Sequence, residues 1–155
     1  HIQGARVDDL IGVSGGVMLV SPLFQSMLCE ERATGWSLVP VAVKNRTLRA
    51  ALDGYAGLAV SGRGGAIDFD RAERTMSASA HPTPIHRGLP VSADRWDGSD
   101  LFRADDLGYV FLTPRIAAAI TRHALSGIST EPAADHELYS SEVELMMTER
   151  RHGAP

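Results

Sequence analysis

The chain has 155 residues, a formal net charge of −4, and 44% hydrophobic against 22% charged residues. This balance is ordinary for a globular protein, and we treat residues 1–155 as a single domain. No apolar run approaches the roughly 20 residues that a membrane-spanning helix needs, so we expect no bilayer span. Residues 99–155 carry nine acidic and five basic groups. This asymmetry argues against a nucleic-acid partner and suits a basic protein partner.

The single cysteine, Cys29, cannot form an internal disulfide, which favours the reducing cytoplasm as the location. The first residue is His1 rather than Met, so we expect the chain to be a trimmed, tagged or processed product. The glycine-rich run at residues 12–16 lacks the Lys-Ser/Thr pair of a phosphate-binding loop. We therefore predict a turn there.

The first predicted unit is a strand, a helix and a second strand over residues 16–40. Ser21 is a good N-cap and Pro22 suits the first helical position, so the helix should run from Pro22 to about residue 33. Gly35 suits the end of that helix. Trp36 opens the next strand, and we expect its side chain to be mostly buried.

The segment that follows, the insert of residues 55–98, is predicted to be mainly β structure. Residues 58–60 and 66–70 have the pattern of two strands joined by a glycine-rich loop, which predicts a β-hairpin. Pro82, Pro84 and Pro90 interrupt the stretch that follows, and they indicate that residues 85–91 form an edge strand. Ahead of the insert, residues 45–52 are predicted to form a short helix.

Four side chains of the insert are candidates for chemistry: Asp68, Asp70, His81 and His86. Paired carboxylates can serve acid–base catalysis, but no second partner for them is visible, so an exposed strand face is expected. A zinc site needs three or four ligands, and no third ligand has a matching spacing. We expect no metal and no cofactor. A small hydrolase with a site built from these loop residues stays open as an alternative.

The second predicted unit covers residues 108–132 and has the same order of elements. A short strand ends before Thr113, which is a good N-cap, and Pro114 begins a helix that should run to about residue 124. Gly127 suits the left-handed residue that closes this helix. Ile128 then starts the next extended run.

A shift of 92 residues aligns the two units without a gap. The matches fall where backbone geometry restricts the choice of residue: Ser21-Pro22 with Thr113-Pro114, Gly35 with Gly127, Pro40 with Pro132, and Asp8 with Asp100. This pattern predicts an internal duplication. The other interpretation is two unrelated units that share the same caps and stops. In either case the inner helix faces should be buried, namely Phe24, Leu28, Ile116 and Ile120.

Residues 96–106 form the most distinctive short run and the candidate partner-binding surface. Its members combine an aromatic anchor with a crowd of carboxylates: Trp96, Asp97, Asp100, Arg103, Asp105 and Asp106. We expect Leu101 and Phe102 to anchor the run while the charged residues remain outside. The alternative is that the aromatic residues fill the core and the aspartates cap turns.

Together these elements predict an α/β (α+β) fold. It would contain a mixed sheet with packed helices, the two β-α-β units, the β-hairpin insert, and a C-terminal helix over about residues 140–151. Early glutamates and late arginines suit the dipole of that last helix.

Residues 41–132 resemble immunity proteins of bacterial polymorphic-toxin and contact-dependent competition systems. The resemblance is to the group in which a DIFR-like element precedes VSER, a helix and GLTGVRF. The matching residues are Asp100-Leu101-Phe102-Arg103, Leu112-Thr113-Pro114-Arg115 and Leu125-Ser126-Gly127-Ile128. A related subgroup carries two CxxCG pairs, which this chain lacks.

The resemblance implies a protein without catalytic residues that binds a cognate toxin domain made by the same cell. Such a protein would cover the toxin's active site or block its activation. The alternatives are a repeat-built interaction or regulatory domain of a larger protein, and the small hydrolase described above.

Overall fold

The computed structural model describes residues 7–13, 16–45, 50–105 and 107–153. Within these ranges the chain forms α-helices and short strands in mixed sheets, which confirms the predicted α+β class. The helices are α1 (Pro22–Glu30), α2 (Pro114–Arg122) and α3 (Ser140–Gly153). Among the described residues, no helix has the length and apolar character needed to cross a membrane.

The strands of the described residues fall into four small sheets. The first is antiparallel and contains, in spatial order, β1 (Leu10–Val13), β2 (Val17–Val20), β6 (Ala56–Val60) and β3 (Trp36–Pro40). The second contains β11 (Val110–Leu112), β10 (Leu101–Arg103) and β7 (Gly62–Arg63). The third contains β12 (Glu137–Tyr139), β9 (Pro84–Arg87) and β8 (Glu73–Met76). The fourth pairs β4 (Lys44–Asn45) with β5 (Ala50–Ala51).

Both predicted helix starts are confirmed, because α1 begins at Pro22 and α2 at Pro114. The Ser21 hydroxyl accepts a hydrogen bond from the Phe24 amide at 3.2 Å, the expected N-cap contact. The Thr113 hydroxyl makes no such bond to its own helix. It donates to a carboxylate elsewhere in the fold, as described below.

The predicted helix ends are wrong in detail. Both helices end earlier, and the left-handed residues that follow them are Arg32 (φ 48°) and Ala124 (φ 51°). Gly35 and Gly127 also have positive φ, but they serve close packing of the backbone. A Cβ on Gly35 would lie 2.2 Å from the Leu101 carbonyl oxygen, so only glycine fits there.

The predicted hairpin of the insert is wrong. Residues 58–60 do belong to β6, but residues 66–70 form no strand. Ile67 makes an isolated bridge to Val91, and Phe69–Arg71 is a turn of 3₁₀-helix. The glycine-rich loop instead leads into β7, which pairs parallel with β10.

Two further strand predictions need correction. β9, predicted as an edge strand, is the central strand of its sheet, between β12 and β8. Pro84 is tolerated because it is the first residue of β9. Residues 128–131, predicted as extended, belong to no strand, whereas β12 was not predicted. Of the helix predicted over residues 45–52, positions 46–49 lie outside the described residues, and the flanking positions pair as β4 and β5.

Two hydrophobic clusters form the interior. The first joins α1 and α2 to the four-stranded sheet and includes the four predicted inner-face residues, Phe24, Leu28, Ile116 and Ile120. The second lies under α3 and includes Phe69, Phe102 and Val143. Trp36 is only partly buried, against the expectation, and its Nε1 donates to the Ala33 carbonyl at 2.9 Å.

Asp100 connects the two helical units through its side chain. One carboxylate oxygen accepts from the Thr34 amide (2.9 Å), the Thr34 hydroxyl (3.0 Å) and the Arg115 guanidinium (2.5 Å). The other accepts from the Thr113 hydroxyl at 2.9 Å. We call Asp100, Thr34 and Thr113 the Asp100 clasp.

Asp9 makes the corresponding contacts with the N-cap of α1 and with the chain that follows α2. Its carboxylate accepts from the Ser21 hydroxyl (2.7 Å) and from the amide and hydroxyl of Ser126 (both 2.9 Å). We call these three residues the Asp9 clasp. In each clasp the aspartate binds the N-cap of the helix that follows it in the chain. It also binds the Thr or Ser four residues beyond the last residue of the other helix.

The two clasps match residue by residue, with one correction to the predicted alignment. Ser21 corresponds to Thr113 and Thr34 to Ser126, both at the predicted offset of 92. The counterpart of Asp100 is Asp9, however, and not Asp8. A duplication would leave such a reciprocal arrangement, and the duplication itself stays a prediction.

Candidate partner-binding surface

The segment that carries Trp96 is anchored to the fold by backbone and side-chain hydrogen bonds. The Asp97 carboxylate accepts from the Arg63 amide and the Ser99 amide, both at 2.9 Å. The Asp97 amide donates to the Arg63 carbonyl at 3.0 Å, which ties the segment to β7. These contacts fix the loop before any partner arrives.

Trp96 has an inner and an outer side. Its ring lies 5.8 Å from that of Phe102, which stacks in turn on Phe111. Its Nε1 donates to the Ser99 carbonyl at 3.0 Å. The residue is nonetheless 38% exposed. Trp96 is therefore held in one orientation while part of the ring faces solvent, the condition under which an aromatic anchor costs little entropy on binding.

The carboxylates of this segment carry negative charge at neutral pH. Hydrogen bonds from Ser99 and from the Arg63 amide lower the pKa of Asp97 below its ordinary value. The Ser92 hydroxyl donates to Asp94 and lowers the pKa of that carboxyl as well. Both side chains are exposed.

The candidate residues after Trp96 and Asp97 have different surroundings. Asp105 is exposed, and Arg103 at the end of β10 is partly buried. Asp106 lies outside the described residues. The Asp105 amide donates to the Gly65 carbonyl at 3.0 Å, and a Cβ on Gly65 would lie 2.5 Å from the Cβ of Arg95. Asp105 and the Trp96 segment therefore meet at Gly65.

Asp100 does not belong to this surface, and its predicted outward position is wrong. Its side chain is only 10% exposed and points into the clasp. The sequence does not distinguish it from its neighbours, because its partners Thr34 and Thr113 are far away in the chain. Its role is structural.

Two aspartates from the turn around the 3₁₀-helix lie close to the residues that precede Trp96. A shallow polar cleft of about 340 Å³ is lined by Asp68, Asp70, Asp94 and Arg95, among other residues. Asp68 and Asp70 were predicted on a strand face, but they lie in the turn around the 3₁₀-helix. Their convergence with Asp94 was not predicted, because it follows from the pairing of Ile67 with Val91. We call Asp68, Asp70, Asp94, Trp96, Asp97 and Asp105 the acidic face.

The histidines considered with these aspartates lie elsewhere. His81 is exposed in the turn before β9. His86 is buried in β9, where its Nδ1 lies 3.2 Å from the Ser140 hydroxyl and its ring meets Phe69 edge-on. Among the described residues, no three His, Cys, Asp or Glu side chains are grouped so as to hold a metal ion. Neither His81 nor His86 lines the cleft that contains Asp68 and Asp70.

No family model and no curated protein matches the chain.

Proposed function

We propose that the chain is an immunity protein that binds and neutralises a cognate toxin domain made by the same cell. The observation that carries this proposal is a cleft in which Asp68 and Asp70 meet Asp94 and Arg95, next in the chain to the fixed, partly exposed Trp96. Aromatic anchors surrounded by polar groups are typical of the residues that dominate binding energy at protein interfaces.

The segments that carry the family resemblance supply residues that hold the two helical units together. Asp100 and Thr113 belong to the Asp100 clasp, Arg115 donates to the Asp100 carboxylate, and Ser126 belongs to the Asp9 clasp. Such residues fix the fold and leave the surface free to differ between partners. This division of roles supports an immunity protein, whose frame is shared while its surface fits one toxin.

The acidic face suits a toxin with a basic cleft, such as one acting on nucleic acid or nucleotides. Complementary charge accelerates association and rejects partners of like charge. Because Trp96 and Asp97 are already fixed by hydrogen bonds, little ordering remains to be done on binding. The chain would then neutralise the toxin by occupying the cleft that its substrate needs.

Reversing two charges of the acidic face should slow association with the toxin. We choose Asp94→Lys with Asp105→Lys and spare Asp97, whose carboxylate holds the loop. The association rate with the catalytically inactivated cognate toxin domain should fall about tenfold at low salt. The deficit should shrink as salt is raised. Stopped-flow fluorescence measures both quantities.

The matched control combines Glu30→Lys, at the end of α1, with Asp53→Lys, in the turn beside Pro22. It changes the net charge equally but leaves the acidic face intact, so its association rate should stay within about twofold of the wild type. An equal fall in the association rate of both double variants would show that only the net charge matters. An unchanged rate in the Asp94/Asp105 variant would exclude this surface.

A further inference from the structure

The four-stranded sheet has two faces, and only one of them contributes to the first hydrophobic cluster. Side chains alternate between the two faces along each strand. Leu10, Val20 and Leu58 lie in or against the cluster that contains the helices, so they define the inner face. The alternate positions of the four strands form what we call the outer sheet face: Ile11, Val13, Val17, Leu19, Ser37, Val39, Gly57 and Ala59.

The strand register makes the outer sheet face continuous. One residue from each strand lies in a row that crosses the whole sheet: Ile11, Leu19, Gly57 and Val39. Val41 also reaches this face, because its Cγ1 would lie 3.5 Å from a Cβ placed on Gly57. Val39 and Val41 therefore fill the space beside Gly57, and the face is even rather than grooved.

The outer sheet face is apolar and open to solvent. Val13, Val17, Val39 and Val41 are between 38% and 48% exposed, around the buried Leu19. In the part of the chain that the structure describes, neither hydrophobic cluster includes these side chains. No residue of β1, β2, β6 or β3 is charged. A contiguous exposed apolar patch marks an interaction site, whereas a single exposed valine would need no explanation.

The absence of charge determines which partner this face suits. A toxin with a basic cleft would find no complementary charge on it. An anionic membrane surface attracts basic segments, and these four strands contain neither Lys nor Arg. A second copy of the chain presents an equally flat and uncharged face. Two such faces pack about 10 Å apart, as the sheets of a β-sandwich do.

We propose that two copies of the chain associate through their outer sheet faces, related by a twofold axis. The valines of one copy would then pack against those of the other, since a twofold interface uses the same patch twice. Four short strands span a flat area of roughly 250 Å² on each copy, well below the area of a standard interface. We therefore expect a weak, reversible dimer with a dissociation constant on the order of 100 μM.

This inference does not depend on toxin binding. The outer sheet face shares no residue with the acidic face. Either proposal can therefore fail without the other.

Sedimentation equilibrium from about 10 μM to about 1 mM measures the association. Val17→Lys with Val39→Lys places charges inside the interface of each copy, and we expect dimerisation to weaken by at least about tenfold. The matched control is Met76→Lys with Leu145→Lys, at exposed apolar residues of β8 and α3. It changes the net charge equally, and its dissociation constant should stay within about twofold of the wild type.

A milder variant and a map of the interface keep the result decisive. Val17→Thr with Val39→Thr retains β-branched side chains and should weaken the dimer about threefold. On dilution of the wild-type protein, amide chemical shifts should change at Ser37 and Ala59, which lie on the outer sheet face. If the double lysine variant does not fold, the threonine variant and the shift map decide.

Three results would overturn the proposal. The first is a wild-type chain that stays monomeric at about 1 mM or assembles beyond a dimer. The second is a folded lysine variant that dimerises as well as the wild type or no worse than the control. The third is a monomer whose lysine variant loses binding to the toxin or to phosphatidylcholine vesicles, which would assign the face to that partner.

Discussion

Replacement of Asp100 by Ala should lower the free energy of unfolding by about 3 kcal/mol. The carboxylate is buried and accepts four hydrogen bonds, two from Thr34 and one each from Thr113 and Arg115. Without it, these donors lose their acceptor inside the fold, and the link between the two helical units is broken. Urea unfolding measures the change. Asp105→Ala, at an exposed carboxylate nearby, is the control and should change stability by less than about 0.5 kcal/mol.

The same substitution should reveal a pH dependence. Burial alone would raise the pKa of Asp100, but hydrogen bonds from Thr113, Arg115 and Thr34 outweigh it and hold the pKa below its ordinary value. A lowered pKa in the folded state stabilises the protein above the unfolded-state value of about 4, and this contribution is lost as the pH falls through the folded-state pKa. The difference in the free energy of unfolding between the wild type and Asp100→Ala should therefore become smaller in acid. A gap of constant size down to pH 2 would contradict this account.

Ile116→Ala should lower the free energy of unfolding by about 2–5 kcal/mol. Ile116 is fully buried on the inner face of α2, in the cluster that joins both helices to the four-stranded sheet. Truncation removes apolar contacts and leaves a cavity, whereas Ile116→Val should cost only about 0.5–1.5 kcal/mol. Ala118→Ser, on the exposed side of the same helix, serves as the control. A loss below about 1 kcal/mol for Ile116→Ala would show that this helix face is not a core element.

The helix starts were predictable because they depend on adjacent residues. Ser21-Pro22 and Thr113-Pro114 restrict the local backbone wherever they occur, and both helices begin there. The clasps were not predictable in the same way. Asp100 binds Thr34 across 66 positions, and Asp9 binds Ser126 across 117, so no local pattern marks these partners.

The insert shows where local patterns fail. A glycine-rich loop between two apolar runs favours a hairpin, yet Gly62–Arg63 pairs with β10 and residues 66–70 form no strand. The competing interaction comes from distant residues, and pairing in a sheet depends on such partners more than on intrinsic preference. β9 is the central strand of its sheet for the same reason, because it pairs with β12, which lies much later in the chain.

The candidate surface was partly predictable. Trp96, Asp97 and Asp105 are exposed on it, as the crowd of charges around an aromatic residue indicated. Asp100 was misplaced because the sequence cannot tell a buried aspartate from an exposed one without its partners. Asp68 and Asp70 were expected on a strand face, and only the folded chain brings them beside Asp94.

The most direct test of the central proposal is a growth measurement. The cognate toxin domain is expressed in a heterologous bacterial host, alone and together with the chain, and growth is followed as the chain's expression is raised. We expect full rescue near equimolar expression, no rescue by an unrelated acidic protein of similar size, and weaker rescue by the Asp94/Asp105 double variant at equal abundance. Toxicity that persists at excess wild-type chain, with no complex between the purified proteins, would contradict the proposal.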